Sequence, residues 1–352
     1  MFRLKTLFLT LGLGSFVAAG PLFVSPVFAA PQAGAVQSQN AKKAGKTVKK
    51  TQVRKTAKKT RTVRKGKARR TAKRVRRERP SLATLAGLRK TDDPLSLGSS
   101  VALAVDQDTG EELFSKNADI ELPIASVTKL MTALVIVQSG LKMNERIRIT
   151  RADYVRSTAK SKIVNGMVMT RQAVLQAALM SSDNRAASAL ARTYPGGRKA
   201  FVTKMNETAQ ALGMDDSFFA DATGLDNRNH STARDLSKLV AAVHQHEVIR
   251  DASTAGVARL KAGRRVVRLQ TTNRLIGQPD WDIGVQKTGY TTAAGRCMVV
   301  QSEFADRRVV MVVLDSPNSA QRALDMKTMR RYVETEEGFT DVFSAATPYQ
   351  IF

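Results

Sequence analysis

Ser126 and Lys129 stand three residues apart in the stretch Pro123 to Met131, just ahead of the apolar run Leu134 to Val137. A helix beginning near Ala125 would put hydroxyl and amine on one face and within reach of each other. That pairing suits nucleophilic catalysis. A serine hydroxyl attacks a carbonyl only when a base takes its proton, and lysine can be that base only if its pKa falls well below the free value of ~10.4. Burial lowers it, and so does a second ammonium nearby. The spacing alone equally describes a polar helix start, and Ser157 with Lys160 repeats it with no apolar helix behind.

Two later segments carry complementary groups. Met180-Ser181-Ser182-Asp183-Asn184 supplies a hydroxyl and a carboxamide, and Val285-Gln286-Lys287-Thr288-Gly289-Tyr290 supplies an ammonium, a hydroxyl and a residue without a side chain. Each spacing has a decoy, Ser316 with Asn318 and Lys261 with Gly263. The order Ser-x-x-Lys, Ser-x-Asn, Lys-Thr-Gly is that of penicillin-binding proteins and class A β-lactamases. The decoys break it, because Ser316 follows the Lys-Thr-Gly segment.

On these motifs the chain from about Leu97 to Val333 resembles the penicillin-binding D-alanyl-D-alanine carboxypeptidase and endopeptidase family of serine peptidases. Phe219 to Leu225 and Lys287 to Cys297 add to the likeness, the latter closest to the small endopeptidase branch typified by penicillin-binding protein 7. The chain as given ends at Phe352, leaving no room for the extra β-rich domain and amphipathic anchor of many carboxypeptidases, which favours the smaller branch. The resemblance implies a β-lactamase/transpeptidase-like α+β fold, with an antiparallel sheet of N- and C-terminal strands flanked by helices and a helical subdomain.

It also implies roles. Ser126 is the nucleophile that forms an acyl-enzyme with a D-alanyl carbonyl, Lys129 the general base, and Ser182 the proton relay to the departing amine. Asn184 hydrogen-bonds the substrate backbone, while Lys287 and Thr288 orient a carboxylate. Gly289 lets the substrate lie along the strand edge, the N–H groups of Ser126 and Tyr290 form the oxyanion hole, and Arg322 is a second carboxylate contact. No metal or cofactor is called for. The implied partners are peptidoglycan peptide stems, with β-lactams as covalent inhibitors.

The elements that must position these groups follow from patterning. Val101 to Val105, Asp106 to Gly110 and Glu111 to Ser115 read as strand, turn and strand. Ile147 to Ile149 reads as a short strand. Helical spacing of Ala, Leu and Val predicts helices over Arg171 to Met180, Arg185 to Thr193, Gly197 to Leu212 and Thr232 to His246. Strand-like runs follow at Arg264 to Leu269, Ile283 to Gln286, Gly295 to Ser302 and Arg308 to Leu314, then a helix from Ser319 to about Val333. Strands at both ends of a helical middle predict an α+β domain whose terminal segments share one sheet.

Ahead of that domain the composition changes twice. Residues 1–30 have Arg3 and Lys5, a short apolar centre and small residues at Ala29 and Ala30, the pattern of a cleaved signal peptide. Gly12, Gly14, Gly20, Pro21 and Pro26 break the run, against a membrane-spanning helix. Export to the periplasm is the expectation. Of the formal charge of +27, residues 41–80 hold +19, from 20 Lys or Arg against Glu78. Such a segment cannot bury enough apolar surface to order itself, so residues 31–92 are expected to be a basic disordered segment, 93–340 the peptidase domain and 341–352 a tail. Outside the cytoplasm nucleic acid is not the expected partner; the segment 41–80 would meet an anionic envelope surface, or act as a solvated spacer.

The remaining reactive residues read as structural. His244 and His246, two apart, share no helix face, and with His230 they read as surface residues. Cys297, the only cysteine, lies in an apolar strand, and Asp183 reads as the cap of the following helix. The leading function is hydrolysis of D-alanyl cross-links. The alternatives are a carboxypeptidase trimming terminal D-Ala, a β-lactamase, for which no stretch identifies a deacylating Glu, and a non-catalytic envelope-binding protein.

Overall fold

The computed structural model describes residues 79–344 apart from Ala305, so the expected signal peptide, the basic segment up to residue 78 and the end of the expected tail lie outside the described residues. The chain enters through a short helix, α1 (Leu82–Leu85), and the hairpin β1 (Val101–Asp106) and β2 (Glu112–Lys116). After β3 (Leu122–Pro123) and a 3-10 turn over Ala125–Thr128 come α2 (Lys129–Gln138), β4 (Arg146–Arg148) and β5 (Val168–Thr170). The helical middle is α3 (Arg171–Met180), α4 (Asn184–Arg192), α5 (Gly197–Ala211), β6 (His230–Ser231), α6 (Ala233–His244) and α7 (Glu247–Thr254). A hairpin of β7 (Val257–Ala262) and β8 (Arg265–Gln270) leads to β9 (Asp282–Thr291), β10 (Gly295–Phe304), β11 (Arg307–Ser316) and α8 (Ser319–Ser344).

Strand patterning decides the architecture. The five-stranded sheet has the order β2-β1-β11-β10-β9, all antiparallel, so the first long strand lies beside the last. Val309 to Leu314 are apolar without interruption because both faces of the sheet are covered. Val310, Val312 and Leu314 face a core shared with Leu236, Leu239 and Val243 of α6. Val309, Met311 and Val313 face the other way, onto Met326, Met329 and Val333 of α8. The sheet is therefore a middle layer between helices, as the family resemblance implies, and its N- and C-terminal strands are neighbours, as the patterning predicts.

α2 runs through the first core. Leu130, Met131, Leu134 and Ile136 have no exposed surface, each contributing about 1.5–3 kcal/mol of burial. A helix enclosed on every face holds its first residue, Lys129, in the interior as well.

The ordered domain begins earlier than the expected boundary at residue 93. Ser81 caps α1, the Leu82 N–H donates to the Ala293 carbonyl (3.1 Å), and Ala83 is buried. Buried Asp315 accepts from Ser81 Oγ (2.5 Å), Thr84 Oγ1 (3.0 Å), Ser100 Oγ (2.6 Å) and Arg89 Nη2 (3.0 Å). Residues 81–92 are thus a strap laid over the end of β11 and the β9–β10 turn. At the other end α8 continues through Ser344, past the expected domain limit.

Candidate active site

Ser126 and Lys129 are brought together by a sharper device than a plain helix start. Ala125 adopts a left-handed conformation, φ 48°, then Ser126 lies in the 3-10 turn and Lys129 opens α2. Lys129 Nζ lies 2.8 Å from Ser126 Oγ, 2.7 Å from Asn184 Oδ1 and 2.6 Å from the Thr223 carbonyl. Two of those oxygens can only accept. A neutral amine has two N–H donors and one lone pair, so with Asn184 and Thr223 taking the donors the lone pair faces the one partner that has a proton to give, the Ser126 hydroxyl.

The second segment reaches the same point from the bend between α3 and α4. Ser182 is also left-handed, φ 56°, and Asp183 then caps α4 by accepting from the N–H groups of Arg185 and Ala186, both at 3.0 Å. Capping by Asp183 turns Asn184, the first helical residue, inward onto Lys129. The third segment is β9, the last strand of the sheet. Lys287 Nζ lies 3.0 Å from Ser182 Oγ and 2.8 Å from the Thr288 carbonyl, and Thr288 Oγ1 lies 2.7 Å from Thr272 Oγ1. A Cβ on Gly289 would stand 3.0 Å from the Ile124 carbonyl and 3.1 Å from the Ser126 nitrogen. Only a bare backbone passes there, which puts β9 beside the Ser126 N–H. Tyr290 follows, half exposed, with the Arg296 guanidinium 4.3 Å from its ring centre.

Electrostatics favour one neutral amine. Lys129 is wholly buried, and burial lowers its pKa from 10.5 to about 7 against the opposing pull of the Asp221 and Asp183 carboxylates. Relative to a free lysine, that fall disfavours the charged form by about 5 kcal/mol and leaves the two forms comparably populated near neutral pH. Lys287, equally buried, is pushed well below its ordinary value by burial, by the Lys129 charge and by Arg322.

Arg322, the expected second carboxylate contact, lies behind the Lys-Thr-Gly strand. Its guanidinium is buried, donates to the Cys297 carbonyl (3.2 Å), and has its pKa lowered to about 10 by burial. Its charge reaches the site through Lys287. Cys297 is itself buried, its thiol raised to about 12 by burial. Half-buried His230 pairs with Glu121 (3.3 Å) and His244 with Gln107 (3.2 Å); among the described residues no His, Cys or carboxylate group is arranged to hold a metal.

Several groups at the site carry no motif. The Thr223 carbonyl is a backbone atom, invisible in side-chain patterning. Gly224, φ 77°, is required because a Cβ there would fall 1.8 Å from the Ala125 carbonyl oxygen. Ser157, the decoy hydroxyl, lies 3.0 Å from Asn184 Nδ2. The stretch Phe219 to Leu225 contains the first two groups and was legible only through the family likeness.

A sheet sandwiched by helices, with a half-buried serine over a buried lysine facing a Ser-x-Asn bend and a Lys-Thr-Gly edge strand, defines a serine peptidase of the penicillin-binding class. The chain belongs to the D-alanyl-D-alanine carboxypeptidase family, whose model matches residues 89–318. It is 39% identical to a D-alanyl-D-alanine endopeptidase of Pseudomonas aeruginosa over 72% of this chain and 83% of that one. With a D-alanyl-D-alanine endopeptidase of Escherichia coli it shares 37% identity over 68% of this chain and 78% of the relative. Among solved structures, a Streptomyces DD-transpeptidase superposes with TM-score 0.64 at 26% identity, covering 70% of this chain and 100% of that one. A Listeria monocytogenes penicillin-binding protein in its ampicillin-bound form gives TM-score 0.61 at 28% identity, covering 68% and 99%. The chain is accordingly a serine-type DD-peptidase, a hydrolase with the β-lactamase/transpeptidase-like fold.

Proposed function

We propose that this protein is an exported endopeptidase that hydrolyses D-alanyl cross-links of peptidoglycan through an acyl-enzyme on Ser126. The observation that carries the reading is the buried Lys129 amine, lowered to about 7 and 2.8 Å from Ser126 Oγ. The Ser126 oxygen attacks the D-alanyl carbonyl carbon while Lys129 takes its proton, a form of catalysis typically worth ~10²–10⁴ in rate. As the C–N bond breaks, the proton that Lys129 took passes by way of the Ser182 hydroxyl to the leaving amine, which returns Lys129 to its neutral form, with Lys287 hydrogen-bonded behind Ser182. Water then attacks the ester, giving a proton to Lys129, which returns it to Ser126 as the C–O bond breaks.

β9, at the end of the sheet, offers its edge to an extended peptide, and its Gly289 lets that strand run close beside the Ser126 N–H. Asn184 orients the peptide, Lys287 and Thr288 receive a carboxylate, and the N–H groups of Ser126 and Tyr290 hold the oxyanion. Losing one such donor costs about 3–4 kcal/mol in acyl-transfer enzymes. Identity of 34–39% to endopeptidases, against 26–31% to carboxypeptidases, supports cross-link cleavage. Export rests on the residue 1–30 pattern, and the net charge of +19 over residues 41–80 supports attraction to an anionic envelope surface.

Labelling with a fluorescent penicillin tests the reading. A stable adduct on the peptide containing Ser126, lost in Ser126→Ala, is expected, together with hydrolysis of a D-alanyl cross-linked peptide dimer. Rapid turnover of the drug would make the protein a β-lactamase, and release of terminal D-Ala alone would make it a carboxypeptidase. Absence of any adduct would refute the serine chemistry.

A further inference from the structure

Beyond Ser182 and Asn184 the cleft opens into a cavity of roughly 640 Å³, walled by the loop from Tyr154 to Lys162 and by the end of β8 with Thr271. Its lining is basic. Lys160, Lys162 and Arg185 face a single carboxylate, Asp183, which is already occupied by the N–H groups of Arg185 and Ala186 and by the Ser161 hydroxyl. The contacts of the cations are with neutral groups. Lys162 Nζ donates to the Arg268 carbonyl (3.1 Å), and Arg185 Nη1 donates to the Ile163 carbonyl (2.6 Å) with its guanidinium 5.8 Å from the Tyr154 ring centre. These partners position Lys162 and Arg185, exposed Lys160 stands beside them, and the charge of all three is unbalanced in a concave wall, where the field on an incoming anion is strongest.

The cavity is continuous with the chemistry. Ser157 on its loop contacts Asn184 at 3.0 Å, and Asn184 contacts the Lys129 amine at 2.7 Å. A peptide placed with its carbonyl at Ser126 therefore extends past this wall. We propose that the cavity is a subsite for a carboxylate carried by the substrate peptide several bonds from the scissile amide, read by Lys160, Lys162 and Arg185. An acidic peptide gains charge-assisted hydrogen bonds there, and the same peptide with that carboxylate amidated does not. The inference rests on the DD-peptidase reading and adds to it the class of substrate that is preferred.

Two synthetic cross-linked peptides test it, identical except that one acidic residue carries a free carboxylate in the first and a carboxamide in the second. The wild-type protein is expected to favour the carboxylate peptide in kcat/KM by about tenfold or more at low salt, the size of one hydrogen bond to a charged group. In Lys160→Gln with Lys162→Gln most of that preference is lost, and Lys160→Glu with Lys162→Glu reverses it. Both lysines are exposed, so the double variants keep the fold, which thermal melting verifies. If turnover is slow, the same ratio is read from protection against penicillin labelling. Equal handling of the two peptides by the wild type, or a preference unchanged in the double variants, overturns the subsite. A wild-type protein that takes penicillin on Ser126 yet treats the peptides alike refutes the subsite alone; one that neither labels nor cleaves refutes the underlying reading.

Discussion

Replacing Gly224 with alanine perturbs the site without touching any group that meets substrate. The added Cβ would lie 1.8 Å from the Ala125 carbonyl oxygen, 2.4 Å from its carbon and 2.9 Å from Thr128 Oγ1. Restoring ordinary contact of about 3.5 Å requires a separation of roughly 1.7 Å between the Gly224 loop and the turn that carries Ser126. Whichever side moves, the triangle of Lys129, Ser126 and the Thr223 carbonyl opens, because Thr223 precedes Gly224 and Ala125 precedes Ser126. A misplacement of about 1 Å costs on the order of 10²-fold in an oriented reaction. The left-handed backbone adds about 1–2 kcal/mol of strain for any residue with a Cβ. Gly110→Ala is the control, since Gly110 has φ 76° and nothing within 4 Å of the added atom. The assay is the second-order rate of acylation by a fluorescent penicillin, on protein shown to be folded at the assay temperature. The expected result is a fall of about 10²-fold in Gly224→Ala beside a wild-type rate in Gly110→Ala. Acylation of Gly224→Ala within about twofold of wild type would refute the claim that this loop sets the geometry of the pair.

Asp315→Asn keeps a residue type that accepts φ 53° but removes the charge that gathers Ser81, Thr84, Ser100 and Arg89; a loss of about 1–3 kcal/mol is expected, with faster proteolysis ahead of residue 97, seen by melting and limited digestion. Deleting residues 41–78 should weaken retention on isolated cell walls or anionic vesicles most at low salt, and equal retention at every ionic strength would reduce the segment to a spacer. Cys297 should resist maleimide in the native protein at neutral pH and react after unfolding, since the thiol is buried and raised to about 12; mass spectrometry distinguishes the two.

Much of this arrangement was legible in the residues because burial imposes periodicity. The bounds of α3 were read correctly from Ala and Leu spacing, and β10 and β11 were visible because strands covered on both faces are nearly all apolar. The three motifs were legible because their side chains do the work. The strap was not, since it is held by polar contacts between Ser81 and Asp315, 234 residues apart, which leave no local pattern. α7 and β7 were missed because exposed charges, Glu247 and Asp251 in one and Arg259 and Lys261 in the other, interrupt their apolar spacing. The Thr223 carbonyl and the left-handed turns at Ala125 and Ser182 are backbone features with no fixed residue type. The hydrogen bond from the buried Arg322 Nη1 to the Cys297 carbonyl joins residues 25 apart and leaves no local pattern either.

The measurement closest to the centre of this account is the pH dependence of Ser126 acylation. Only the neutral Lys129 amine can take the serine proton, so the rate should rise with pH through a midpoint near the value of about 7 that burial gives this lysine, then level off. The Asp221 carboxylate holds that value up, so Asp221→Asn should move the rising limb to lower pH. A limb that stays near the ordinary lysine value of ~10.4, or a rate indifferent to pH across this range, would contradict Lys129 as the base.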